Sequence, residues 1–364
     1  MHLTTTLLGA VAALGDDGFP NPNPEQLKKI QNLADGTLSN APPPAVAPKA
    51  SSFTAFKLIA MNEQFEVAFF TSLIKNITDN VPGFELPSSA KKDELLDILE
   101  TVLAQEKLHA INAQKTLAKF NQPVPQPCVY QFPTTSVYDA IALAEKFTAL
   151  VLGTLQDASQ LFAKNGDFGP VRSVASSLGQ EGEQEGFYRI LLAKKPSEKP
   201  FLTTNVAEFA FSALQQFIVP GSCPFDVKTI GLPIFPPLQV LTANGGADIE
   251  TRNQYLTFKA DLTGIEAAKK FYGGDGKGLF VTYFSGQLLP FSVPVQNVKW
   301  AGEVVTFDAL LPYEENDMDG LSVASLTTAD KFAAPGEVVG ATLAAPGLVQ
   351  VDDRTKAWDQ NLKI

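Results

Sequence analysis

Between Ser52 and about Leu192, apolar side chains recur three and four positions apart in four long stretches, at about 52–77, 89–119, 134–164 and 169–193. This is the spacing of a buried face on an α-helix. Polar residues frame the stretches: Ser51 or Ser52 opens the first, Ser88 or Ser89 the second, Thr135 or Ser136 the third, and Asn165-Gly166 stops the third before the fourth. Pro123, Pro125, Pro127 and Pro133 fill a long link between the second and third, while the other two links are short. A fifth, shorter helical stretch runs from Asn205 to Phe217 and ends at Pro220-Gly221. Past residue 225 the period changes to two, in runs such as Tyr255-Leu256-Thr257-Phe258, Leu279 to Phe284 and Val304-Val305-Thr306-Phe307. Short alternating runs punctuated by Gly and Pro predict a small antiparallel β-sandwich. Upstream, residues 16–50 carry Pro20, Pro22, Pro24, Pro42, Pro43, Pro44 and Pro48, and only Gln26 to Ala34 has a weak helical pattern. They predict an extended arm or linker. The expected class is α+β, with a helical domain over 51–224 and a β-rich domain over 225–364.

Composition narrows the chemistry. The chain has 364 residues and 45% hydrophobic side chains, enough for a sizeable core and for more than one domain. Its net charge of −11 repels phosphate backbones, so nucleic acid is excluded as a partner. There are two histidines, His2 and His109, so no site needing three imidazoles can form. Two cysteines, Cys128 and Cys223, rule out thiolate zinc clusters and iron–sulfur centres. In an oxidising compartment they would bridge the proline-rich link to the domain boundary, stabilising by ~4 kcal/mol through loop entropy; in a reducing one they are ordinary buried thiols. The apolar run Leu7 to Leu14 is far shorter than the ~20 residues a membrane span needs. With small residues at Ala10 and Ala12 it reads as a secretory signal over 1–15, despite lacking a basic start. Asn76-Ile77-Thr78 is a glycosylation sequon, in keeping with export. The predicted localisation is therefore extracellular or cell wall.

Each predicted helix carries a glutamate on its apolar face. Glu63 shares a face with Phe56, Ile59, Ala60, Val67 and Phe70, with Glu66 competing at i+3. Glu106 lies between Val102 and Ala110, with His109 at i+3. Glu145 sits among Ile141, Ala142, Thr148 and Leu152, and Glu181 between Val174, Leu178 and Tyr188. Inward carboxylates do not stay ionised in an apolar interior without partners, and these faces offer few inward Lys or Arg. Divalent or trivalent cations would partner them. In a dinuclear iron or manganese bundle site, two helices each give one Glu and two give Glu-x-x-His. The order here is Glu63, Glu106-x-x-His109, Glu145, then Glu181 with Gln184 where a second histidine belongs. Glu185 and Glu183 read either as stand-ins for Gln184 or as surface charge, with surface charge favoured for Glu183. Tyr188, one turn on, reads as a redox relay or as core.

This order, with its one long crossover, resembles the ferritin-like superfamily. Asn62-Glu63-Gln64-Phe65-Glu66-Val67-Ala68-Phe69-Phe70 resembles the first-helix motif of that superfamily, with Phe70 where a tyrosine is usual. Glu181 to Arg189 and Lys195 to Leu202 are similar to secreted fungal ferritin-like proteins described as late sexual development or stress-response proteins. The resemblance implies a ferritin-like four-helix bundle with metal ligands Glu63, Glu106, His109, Glu145 and Glu181, and a β-rich tail. Two functions are open. One is a dinuclear iron or manganese centre reactive toward oxygen or peroxide. The other is a non-enzymatic extracellular protein with a vestigial site, whose β-domain contacts cell wall or glycan.

Overall fold

Local caps and distant ones both set the helix ends. A computed structural model of the chain describes residues 17–41, 45–246 and 249–351. The expected signal segment, His2 and Pro42–Pro44 lie outside the described residues. The helices that frame the site are α1 (Pro24–Leu33), α2 (Ala50–Thr78), α3 (Ser89–Lys119), α4 (Val137–Asn165), α5 (Phe168–Leu191) and α6 (Ala207–Gln215). Ser88 and Ser136 accept from Lys91 N and Asp139 N, capping α3 and α4 as their positions predict. Gly166 closes α4 in the left-handed conformation. The start of α2 differs from expectation. Its N-cap is Lys49, without a side-chain bond, and neither Ser51 nor Ser52 caps it. Instead Asp167, from the turn between α4 and α5, accepts from Lys49 N at 3.0 Å and from Ser52 Oγ at 2.6 Å. The anion comes from another element, which no local pattern reveals.

The arm is ordered against the helical domain. Asn23 and Gln26 form a reciprocal capping box on α1. Phe19, Ile30 and Ala34 are buried against Val67, Ala104, Leu108, Ala110 and Ile111, and Lys107 pairs with Asp17. The expectation of an extended linker over 16–50 is corrected for these described residues, because the apolar side of α1 finds a groove on α2 and α3.

Helices α2 and α3 pack as one antiparallel hairpin, α4 and α5 as another, and α2 lies against α4. Every residue of α2 from Ala60 to Phe70 is buried, as befits a helix wrapped on all sides. Phe65 and Phe69 meet Phe147 of α4 edge-on, with ring centroids at 5.1 and 5.0 Å. The crossover between α3 and α4 is tied down by the Cys128–Cys223 disulfide, with 95 residues of sequence separation, and by Gln64 Nε2 donating to Pro125 O at 2.7 Å.

The β-rich part contains β1 (Gln239–Val240), β2 (Gln254–Asp261), β3 (Phe280–Ser285), β4 (Phe291–Pro294), β5 (Gln296–Ala301), β6 (Val304–Leu311), β7 (Gly320–Thr327) and β8 (Thr342–Val351). They form two four-stranded antiparallel sheets, β1-β2-β6-β5 and β4-β3-β7-β8. Phe258 and Phe307 of the first sheet share a core with Val281, Leu326 and Val349 of the second. Strand β7 is buried at all eight positions. Its second face meets the helical domain, where Leu321 and Val323 pack with Ala149 and Leu150 of α4 and Phe209 of α6. β7 is therefore covered on both faces and lacks the alternation of a half-exposed strand. The class is α+β, helical residues preceding two antiparallel sheets.

Candidate metal centre

Three helices bring four side chains that could hold a metal ion to one point. Glu63 comes from α2, Glu106 and His109 from one face of α3 at i and i+3, and Glu181 from α5. One ligand atom from each lies within 4.8 Å of all the others. His109 Nδ1 stands 3.1 Å from Glu106 Oε2, 3.5 Å from Glu63 Oε2 and 3.8 Å from Glu181 Oε1. The three glutamates are fully buried, while the His109 side chain keeps 18% exposure. Glu66 is buried one turn from Glu63, and its Oε1 accepts from Asn62 Nδ2 at 3.1 Å. Glu63 and Glu66 both point inward because α2 has no solvent face at this level.

The electrostatics are those of acids crowded without enough donors. Burial pushes Glu63 up to about 7, with His109 opposing the rise. Burial, then the neighbouring carboxylates, hold Glu66 and Glu181 well above the usual carboxylate range. For Glu106 burial also acts upward, but the His109 charge and hydrogen bonds from His109 and Gln184 outweigh it, and its carboxyl is lowered. His109 is held well above its ordinary value: burial opposes the charge, and Glu106 and Glu63 outweigh burial. Both oxygens of Glu181 and Oε2 of Glu63 are buried without a hydrogen-bond donor. Buried acceptors left without donors are rare and call for a partner. A cation supplies one, and the donor set of carboxylates with one imidazole suits iron, manganese or zinc.

Glu145 is corrected as a member of this group. Its carboxylate receives Arg189 Nη1 at 2.8 Å and Lys194 Nζ at 2.9 and 3.0 Å. Arg189 is fully buried and donates from Nε to Lys195 O at 2.6 Å. The expectation that few inward cations serve these faces is likewise overturned. Arg189 ends α5, and Lys194 reaches in from the loop behind it. That loop approaches closely at Gly186, where a Cβ would lie 3.2 Å from Pro196 O. In the sequence, Glu181, Glu185 and Arg189 stand at i, i+4 and i+8, a spacing that puts an inward cation on the same helix face as the acids.

The remaining residues divide between the two clusters. Gln184 Nε2 donates to Glu106 Oε1 at 2.7 Å and so holds that carboxylate's orientation. Glu185 is buried with the Arg189 group, and burial, then Glu198, pushes it up to about 9. Glu198 accepts from Leu321 N of β7 at 2.8 Å, which joins this second cluster to the β-rich part. Glu183 is exposed. The Tyr188 hydroxyl is buried without a hydrogen-bond partner, and its ring packs on Phe70 at 6.0 Å between centroids. Asn76 lies in the last turn of α2, partly exposed. No helix among the described residues is long and apolar enough to cross a membrane. No protein-family profile matches the chain, and no curated protein matches it.

Proposed function

We propose that the helical domain is a ferritin-like four-helix bundle, as its resemblance implies, and that Glu63, Glu106, His109 and Glu181 bind a first-row transition metal, iron or manganese. The observation that carries this reading is the convergence of four ligand atoms within 4.8 Å around buried oxygens that lack donors. Glu66, on the same inner face, supplies the carboxylate that would accommodate a second ion in place of Glu145. A bound iron or manganese ion would supply oxygen- or peroxide-directed redox chemistry. The chain's own residues hold the ligand orientations: Gln184 steadies Glu106, and Asn62 steadies Glu66. Phe70 packs on Tyr188 and Phe147, which places apolar rings on α2 one turn beyond Glu66. The disulfide and the sequon support export to the extracellular space or cell wall.

A vestigial centre in a structural, wall-associated or glycan-binding protein is the second reading. The placement of Gln184 and the capture of Glu145 by Arg189 and Lys194 favour it. Elemental analysis of protein purified without chelator separates the two. A resident centre gives near-stoichiometric iron or manganese, lost in Glu106→Ala. Fewer than ~0.2 ions per chain in the wild type, with no uptake on addition of Fe(II) or Mn(II), leaves only the second reading.

A further inference from the structure

The buried cluster faces a small cavity on the side of α4. This cavity has a volume of about 10 Å³ and is lined by Asn62, Glu63, Val151, Thr154 and Ala210 among others, room for about one water-sized molecule. Beyond it lies an open groove of about 380 Å³ between α2, α4 and α6. Leu58, Ile59 and Thr154 line both spaces, so the groove and the cavity that reaches Glu63 share a wall. We infer that this groove and cavity form the route by which a divalent cation reaches the buried cluster, with Asp157 and Glu208 collecting the ion at the mouth and Thr154, Asn62 and Glu63 passing it inward.

This inference rests on the metal centre proposed above and adds how that centre is loaded. Three observations support it independently of one another. First, acids outnumber cations in the groove: Asp157 and Glu208 line it, with Lys164 the one basic side chain among its lining residues. Burial and then the Glu208 charge push Asp157 up to about 6, against a backbone hydrogen bond from Ala207 and the charge of Lys164, whose ammonium is hydrogen-bonded to Gln160. Two carboxylates that repel one another bind a cation where they do not bind an anion or a neutral molecule. Second, oxygen-bearing side chains follow at each step. Thr154 lies one helical turn before Asp157 on α4; its hydroxyl donates to Leu150 O at 2.9 Å and accepts from Asn205 Nδ2 at 3.0 Å. Asn62, with its amide donating to Glu66 Oε1, lines the cavity next to Glu63. Third, Glu63 lines the cavity, almost wholly buried, with His109 Nδ1 at 3.5 Å facing its Oε2. A cavity this size admits an ion only after it sheds most of its water, and oxygen ligands in sequence compensate for that loss.

The test follows loading of metal-free full-length protein with Co(II) by stopped-flow absorption, together with final occupancy by elemental analysis. The double variant Asp157→Asn/Glu208→Gln removes the mouth charge, and Ile59→Trp fills the wall shared by groove and cavity. The double variant should load about tenfold more slowly at low ionic strength, converging on the wild type in high salt, with final occupancy unchanged. Ile59→Trp should load slowly at every ionic strength. If wild-type protein loads while the double variant keeps the wild-type rate at low salt, the route is overturned and the metal centre stands. That arm alone decides the matter if the tryptophan variant fails to fold. A wild-type protein that takes up no Co(II) overturns the centre, and the route with it.

Discussion

Raising the pH should destabilise the metal-free protein, and bound metal should reverse the trend. Glu63 is displaced from an ordinary 4.5 to about 7 in the folded chain, chiefly by burial. The folded state therefore holds a proton that the unfolded chain has released between those values. Its contribution is fully present below pH 4.5 and is lost as pH rises through about 7. The displacement amounts to about 3 kcal/mol at pH 8. Glu66 and Glu181 are raised in the same direction, and Glu185 is raised to about 9, so the loss continues above pH 7. His109 is also raised and loses stability with rising pH; Glu106 is lowered and acts oppositely, its contribution disappearing in acid. Metal binding requires the carboxylates to be deprotonated, so the stabilisation it brings grows with pH. Urea melts at pH 5, 6, 7 and 8, with chelator and with saturating Mn(II), measure both curves. Glu63→Gln removes one titrating group and should flatten the metal-free curve by about 3 kcal/mol over this range. A metal-free stability that is level or rises from pH 5 to 8 would refute the reasoning, as would a metal-induced shift that shrinks over the same interval.

Two further outcomes follow from the second charge cluster and the disulfide. Replacing Glu145 by Ala leaves Arg189 and Lys194 buried beside an empty position, so unfolding free energy should fall by 3–5 kcal/mol or about that in urea melts, while metal stoichiometry stays at the wild-type value; loss of metal with unchanged stability would return Glu145 to the metal centre. Cys128→Ser/Cys223→Ser releases the tie between the crossover and the segment after α6 and should lower stability by about 4 kcal/mol in non-reducing melts, and an unchanged midpoint would show that the surrounding packing holds the crossover without it.

The chain's own pattern determined the elements and the candidate ligands. Periodicity alone placed the five main helices, because each buries an apolar stripe whose spacing is local. It also placed Glu106 and His109 together, since i and i+3 on a helix share a face whatever surrounds it. The scarcity of histidine pointed to carboxylates before any fold was known. What periodicity does not encode is which inward acid meets which cation. Glu145 and Glu181 are indistinguishable as single core glutamates in sequence, yet one faces Arg189 and Lys194 while the other faces His109. That choice depends on the end of α5 and the loop after it, brought in by the close approach at Gly186. The same holds for the competition between Glu63 and Glu66, which dissolved once α2 was surrounded on every side. Asp167 capping α2, α1 lying on α3, and both faces of β7 being covered are likewise contacts between segments distant in the chain. Local structure follows from short-range sterics and amphipathicity; the pairing of buried charges follows from packing, because only packing decides which of them leave water together.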